Sequence, residues 1–122
     1  KSAPKQLVKK NTNIKVNANH IKGWTMTKRG RKPKGVVIHN DAGTMNSKQY
    51  YNNLVNADYN RLARGIAHAY ADRNDIWEAI SEDRIAWHVS DGVQPGSGNF
   101  ETYGIEVNQS MLAFTKTLNM IE

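Results

Sequence analysis

One stretch, Gly35-Val36-Val37-Ile38-His39-Asn40-Asp41-Ala42-Gly43, limits what this chain can fold into. Three β-branched residues in a row, entered from a basic loop and left through a glycine-containing one, read as a strand covered on both faces. A strand with one wet face would instead alternate polar and apolar positions. The stretch therefore predicts the central strand of a sheet, with His39 at its C-terminal end. Side chains alternate along a strand, so His39 shares a face with Val37, opposite Val36 and Ile38. A neutral imidazole there can offer a lone pair to a cleft. Equally, its nitrogens can be taken up by backbone hydrogen bonds, and this stretch alone does not choose between the two uses.

The rest of the chain narrows the setting. Its 122 residues make one domain with a modest core. No run approaches the roughly 18 apolar residues of a membrane-spanning helix. Residues Lys1 to Lys10 contain no apolar core of a signal peptide, and the first residue is not Met, so the chain is expected to be cut from something longer. The absence of cysteine excludes a disulfide framework and a thiolate nucleophile. A net charge of +6 favours a polyanionic partner, which nucleic acid and the anionic wall of a Gram-positive bacterium both satisfy.

Taken in order, Lys1 to Lys15 has the Lys-rich, aperiodic composition of a linker, and residues 16–122 form the domain. Ile14 to Asn17 alternates like a short edge strand, and Ile21 to Met26 reads as a loop packed on the core. Lys28 to Lys34 holds five cations in seven residues. It is close to an Arg-Gly-Arg-Pro minor-groove hook, but Lys32 interrupts the motif, and the plainer reading is a solvated loop. Asn46 or Ser47 caps a helix whose apolar face is Tyr50, Tyr51, Leu54 and Val55, and Leu62 sits in a second short helical piece ended by Gly65. Ile66 to Ala71 and Asp75 to Ile80 form a hairpin about a turn at Asp72 to Asn74. Asp91 to Asn99 is a Gly-, Pro- and Ser-rich loop, and Ser110 to Glu122 carries a weak helical pattern. The last clear strand, Thr102 to Asn108, puts Gly104, Glu106 and Asn108 on one face. A carboxylate inside a buried strand is costly without compensation, which an ion pair would provide.

Four motifs in this order, Gly-Val-Val-Ile-His-Asn-Asp-Ala-Gly, Gly-Ile-Ala-His-Ala-Tyr, Ile-Ala-Trp-His and Tyr-Gly-Ile-Glu-Val, resemble the type-2 N-acetylmuramoyl-L-alanine amidase family. That family includes phage T7 lysozyme and the peptidoglycan-recognition proteins. The likeness is greatest to the amidase domain of staphylococcal phage endolysins, and it covers roughly Asn17 to Ser110. It implies an α/β fold with a central mixed sheet flanked by helices, incomplete at the C-terminus. It implies a zinc-dependent hydrolase that cuts the amide between N-acetylmuramic acid and L-alanine. Carried over by position, His39 is a zinc ligand and Glu106 acts on the water that attacks. Asn40, His68, Trp87 and His88 line the substrate groove, and Gly104 leaves room for substrate. The implied partners are peptidoglycan and the anionic cell wall, with no nucleic acid or membrane, acting as a monomer at the bacterial cell wall.

The resemblance also sets a limit. The family's other two ligands, a histidine and an Asp or Cys, follow well after the glutamate, and this sequence has no histidine beyond His88. One matched ligand of three implies little or no activity for these residues alone, since a catalytic zinc takes three protein ligands and a water. His88, with Asp91 beside it, is the one substitute ligand worth testing. The competing readings are a peptidoglycan-binding domain without catalysis and a DNA-binding module using Lys28 to Lys34.

Overall fold

The computed structural model describes residues 15–21, 27–40 and 45–108. The described strands are β1 (Lys15–Ala18), β2 (Gly35–Asn40), β3 (Ala69–Ala71), β4 (Asp75–Glu78) and β5 (Thr102–Val107). The helices are α1 (Ser47–Val55), α2 (Tyr59–Ala63) and α3 (Gly98–Glu101). The strands form one sheet in the order β1-β4-β3-β5-β2, with β3 and β4 antiparallel and every other pairing parallel. This is the mixed sheet with helices that the motifs imply. The linker and the C-terminal helical pattern lie outside the described residues, except that Lys15 already belongs to β1.

Local chemistry explains the turns and starts. Asn46 caps α1 through a reciprocal box with Gln49, which satisfies two of the helix's orphan donors. The carboxylate of Asp72 closes the β3–β4 hairpin by accepting from Asn74 N at 2.8 Å and Asp75 N at 2.9 Å. Its other oxygen accepts from Ser47 N at 2.7 Å, tying the hairpin to the start of α1. Burial pushes the Asp72 carboxyl up, but these hydrogen bonds outweigh it and hold the group below its ordinary range. The core gathers Tyr51 and Leu54 of α1, Leu62 of α2, and Ile66, Tyr70, Ile80 and Ala86 from the sheet and its connections.

Three expectations need correction. β2 is one of the two edge strands of the described sheet, paired with β5, and Val36 and Ile38 are 58% and 65% exposed. Its β-branched run reports strand propensity, not burial on both faces. On α1 the buried face is Ser47, Tyr51 and Leu54, while Val55 is exposed, because Ser47 Oγ is drawn inward to Asp75 Oδ1 at 2.7 Å. The hairpin strands are shorter than the apolar runs suggest: Ile66 to His68 precede β3, and Ala79 and Ile80 follow β4.

The basic loop is not uniformly solvated. Arg29 is buried, and its guanidinium donates to the carbonyls of Phe100 at 2.6 Å, Arg84 at 3.1 Å, Thr102 at 3.3 Å and Glu82. Full hydrogen bonding is what makes a buried guanidinium tolerable. Arg31 pairs with Glu101 at 2.5 Å. Of the five cations only Arg29 is thus turned to internal use; Arg31 stays at the surface.

Candidate active-site groove

A single cross-strand row places the chemistry. His39 is in register with Glu106, Glu106 with Tyr70, and Tyr70 with Trp77. Directly opposed residues on neighbouring strands point to one face, so β2 and β5 set the imidazole and the carboxylate side by side. Above this face lies a groove of about 660 Å³, lined among others by Glu106, Tyr70, Tyr50, Trp87, His88 and Arg64. Tyr50 stacks on Tyr70 with ring centroids 5.6 Å apart, giving the groove a flat aromatic wall. The Tyr70 hydroxyl accepts from Ala67 N at 3.0 Å, and burial holds its pKa well above the ordinary phenol value. His39 is half-buried and is not itself a lining residue; it stands beside the groove, next to Glu106 in the sheet and in contact with His88, both of which line it.

His88 is held from several sides. Its backbone N–H donates to Asn99 Oδ1 at 2.8 Å, and the same oxygen accepts from Val89 N at 2.8 Å. Its Nδ1 lies 3.0 Å from His39 Nε2, and its Nε2 lies 3.3 Å from Thr102 Oγ1. The ring rests on Gly104: a β-carbon there would fall 2.5 Å from His88 Cγ and Nδ1. Gly104 therefore makes room for His88, not for substrate, which corrects the sequence reading. Burial pushes the His88 imidazole below its usual range. Asp91 lies near enough to His88 to act on its charge, but its carboxylate oxygens are engaged by backbone N–H groups. Its carboxylate accepts from Gly98 N at 2.5 Å and Asn99 N at 3.3 Å, bracing the loop at the start of α3.

His68 does not line the groove. It is fully buried, its Nδ1 accepts from Gly104 N at 3.1 Å, and its Nε2 donates to the Arg84 carbonyl at 2.8 Å. Its ring stacks on Tyr103 with centroids 4.5 Å apart. Desolvation, with Arg29 close by, lowers its pKa to about 4. It is a structural histidine of the kind left open for His39. Asn40 is also outside the groove lining: alternation along β2 puts it on the face opposite His39, where it is exposed. Of the positions carried over, the fold brings together His39, Glu106, Trp87 and His88, turns Asn40 to the opposite face, and sets His68 beneath His88, their rings edge to face with centroids 5.8 Å apart. Tyr70, Asn99 and Arg64 belong to the same region but were not singled out as site residues. For Tyr70 a signal existed, since it shares a strand face with His68 in the Ala-His-Ala-Tyr motif. For Asn99 none did, because its role depends on a loop that doubles back across eleven residues.

Zinc suits this place only in part. A neutral imidazole at His39 is a suitable donor, but the described residues contain no group of three His, Asp or Glu side chains able to hold a metal ion. The remaining ligands would have to come from outside the described residues.

Comparison with known proteins accords with this geometry. The chain is 55% identical over 106 residues to endolysin LysK of Staphylococcus phage K, which covers 86% of this chain and 21% of that protein. It is 52% identical over 90 residues to endolysin PlyTW of Staphylococcus phage Twort, covering 74% and 18%. The chain thus spans about a fifth of the length of the curated relatives it matches. Among solved structures, a mutant endolysin from Bacillus subtilis superposes with a TM-score of 0.64 at 25% identity, over 79% of this chain and 62% of that one. The Staphylococcus aureus hydrolase AmiA, solved with its ligand, superposes with a TM-score of 0.68 over 89% and 51%, and at 19% identity that likeness speaks for the fold. With residues 29–118 matching the family described as N-acetylmuramoyl-L-alanine amidase, the chain belongs to that family, Amidase_2.

Proposed function

We propose that this domain is the amide-cleaving unit of a cell-wall hydrolase, acting as a monomer on peptidoglycan at the bond between the lactyl group of N-acetylmuramic acid and L-alanine. The observation that carries the reading is the direct register of His39 and Glu106 beside an aromatic-walled groove. A general base and the group that binds the reacting water must share one small space. Glu106 takes the proton of the attacking water and returns it to the departing alanine nitrogen. Tyr50, Tyr70 and Trp87 offer flat faces to sugar and peptide, and Arg64 offers a cation at the rim. His39 is the one described residue we assign to zinc, which when bound polarises the amide carbonyl and acidifies water. The net charge of +6 suits work at an anionic wall.

A second reading, binding without cleavage, draws on the absence of a three-ligand cluster among the described residues. One comparison separates them. Muropeptide binding by calorimetry, and release of alanine amino termini from purified cell walls with zinc present, are measured for the full-length protein, wild type and Glu106→Gln. Hydrolysis lost with binding kept supports the base role, and near-normal hydrolysis by the variant refutes it. Binding without hydrolysis in the wild type establishes the second reading, and no binding refutes both.

A further inference from the structure

We propose that His88, anchored by Thr102, is a positioning residue that fixes His39 in the Nε2–H tautomer and leaves Nδ1 as its lone-pair atom. The direction of the relay follows from its far end. Thr102 has one hydroxyl proton, and it is committed to the Gly98 carbonyl at 2.6 Å. Toward His88 Nε2, 3.3 Å away, the Thr102 oxygen can therefore only accept, so Nε2 of His88 carries the proton. A neutral imidazole protonated at Nε2 has its lone pair at Nδ1. That Nδ1 lies 3.0 Å from His39 Nε2, which must then be the donor. Each link has one direction, from His39 through His88 and Thr102 to the Gly98 carbonyl.

The relay is also held mechanically. The rings of His39 and His88 meet edge to face at 81°, with centroids 5.2 Å apart. Asn99 fixes the backbone of His88, and Gly104 gives its ring a flat seat. Hydrogen bonds of this kind behind a ligating imidazole set its tautomer and orientation, and losing one costs about 10–100-fold in metal affinity. The consequence for zinc rests on the proposed amidase reading; the tautomer does not.

The test is long-range proton–nitrogen NMR on the ¹⁵N-labelled chain, under conditions where the imidazoles are neutral. The expected wild-type spectrum has His39 protonated at Nε2 and unprotonated at Nδ1. Thr102→Val, which removes the hydroxyl acceptor at nearly constant shape and leaves the Thr102 carbonyl beside His88, should shift the His39 tautomer ratio toward Nδ1–H by at most about fivefold, the worth of one hydrogen bond. His88→Ala should do the same. Thr102→Ser and His88→Asn, whose amide oxygen sits near the position of Nδ1, should restore the wild-type ratio. A wild-type His39 protonated at Nδ1, or a ratio unmoved in Thr102→Val, would overturn the proposal. Zinc titration of the full-length protein, which supplies any ligands lying outside the described residues, adds an independent arm: binding at Nδ1, weakened about 10–100-fold in Thr102→Val, is expected. Zinc at Nε2 overturns the relay, whereas a correct tautomer with no zinc response counts against the zinc reading alone.

Discussion

Gly104→Ala isolates the seat of His88. The added β-carbon would stand 2.5 Å from His88 Cγ and Nδ1 and 2.9 Å from Cδ2, well inside contact distance. In most overpacked sites the neighbour swings aside. Here His88 is tied at its backbone to Asn99 at 2.8 Å and at its ring to His39 at 3.0 Å and Thr102 at 3.3 Å. Relief must come from breaking one of those bonds or bending β5, so the cost belongs in the upper part of the roughly 1–3 kcal/mol seen for overpacking. At about 4 °C per kcal/mol, the value where the ranges for smaller and larger domains meet, the melting temperature should fall on the order of 10 °C. In urea the midpoint should drop with the slope unchanged, because a lost packing arrangement alters stability and not the surface exposed on unfolding. The control is His88→Ala. Removing the ring vacates the space, so Gly104→Ala in that background should cost far less, with a coupling of about 1–3 kcal/mol. If Gly104→Ala costs the same with and without the His88 ring, the clash is not its cause and the seat argument is wrong.

Two further perturbations test the supports of the site. Asn99→Ala removes the acceptor of two backbone N–H groups and the donor to the Gly92 carbonyl, and should destabilise the domain by about 1–3 kcal/mol, with faster amide exchange at His88 and Val89. His68, with a folded pKa of about 4 against an ordinary value near 6.5, is neutral in the native state while the unfolded chain takes up a proton first. Its stabilisation is whole at neutral pH and drains as pH falls between those two values, by roughly 3 kcal/mol in total. Thermal melts in low-salt buffers across that window should show the decline, and a flat profile would contradict a neutral buried His68.

What the sequence disclosed divides along physical lines. The elements that rest on local chemistry were legible: the cap at Asn46, the turn at Asp72 and the short helix ended before Gly65 each depend on residues a few positions apart. The pairing of His39 with Glu106 was legible as a shared face, because alternation fixes which side each occupies once the strands are adjacent. Position within the sheet was not. The β-branched run of β2 is the same whether a helix covers it or water does, so Val36 and Ile38 misled. Nor could the histidines be sorted by spacing. His68 and His88 stand in similar apolar settings, and only the crossing of distant chains decides which becomes interior and which opens on the groove.

The division of labour among those histidines shows what the basic loop does for the site. Arg29 and His68 both donate to the Arg84 carbonyl, at 3.1 and 2.8 Å, while Arg29 also holds the carbonyls of Phe100 and Thr102. These contacts join Arg84 to the start of β5; the chain running on from Arg84 carries Trp87 and His88, and β5 carries Gly104 and Glu106. His68 completes the bridge through Gly104 N at 3.1 Å. Burial does most to keep the His68 ring neutral, and the cation fixed beside it adds to the penalty on an imidazolium, so the acceptor nitrogen stays available to Gly104. Catalytic groups gain from being held in place before substrate arrives, because the ordering cost is then met in folding and not in the reaction. A loop whose composition suggests a polyanion-binding surface thus contributes its most buried cation to the floor beneath the groove.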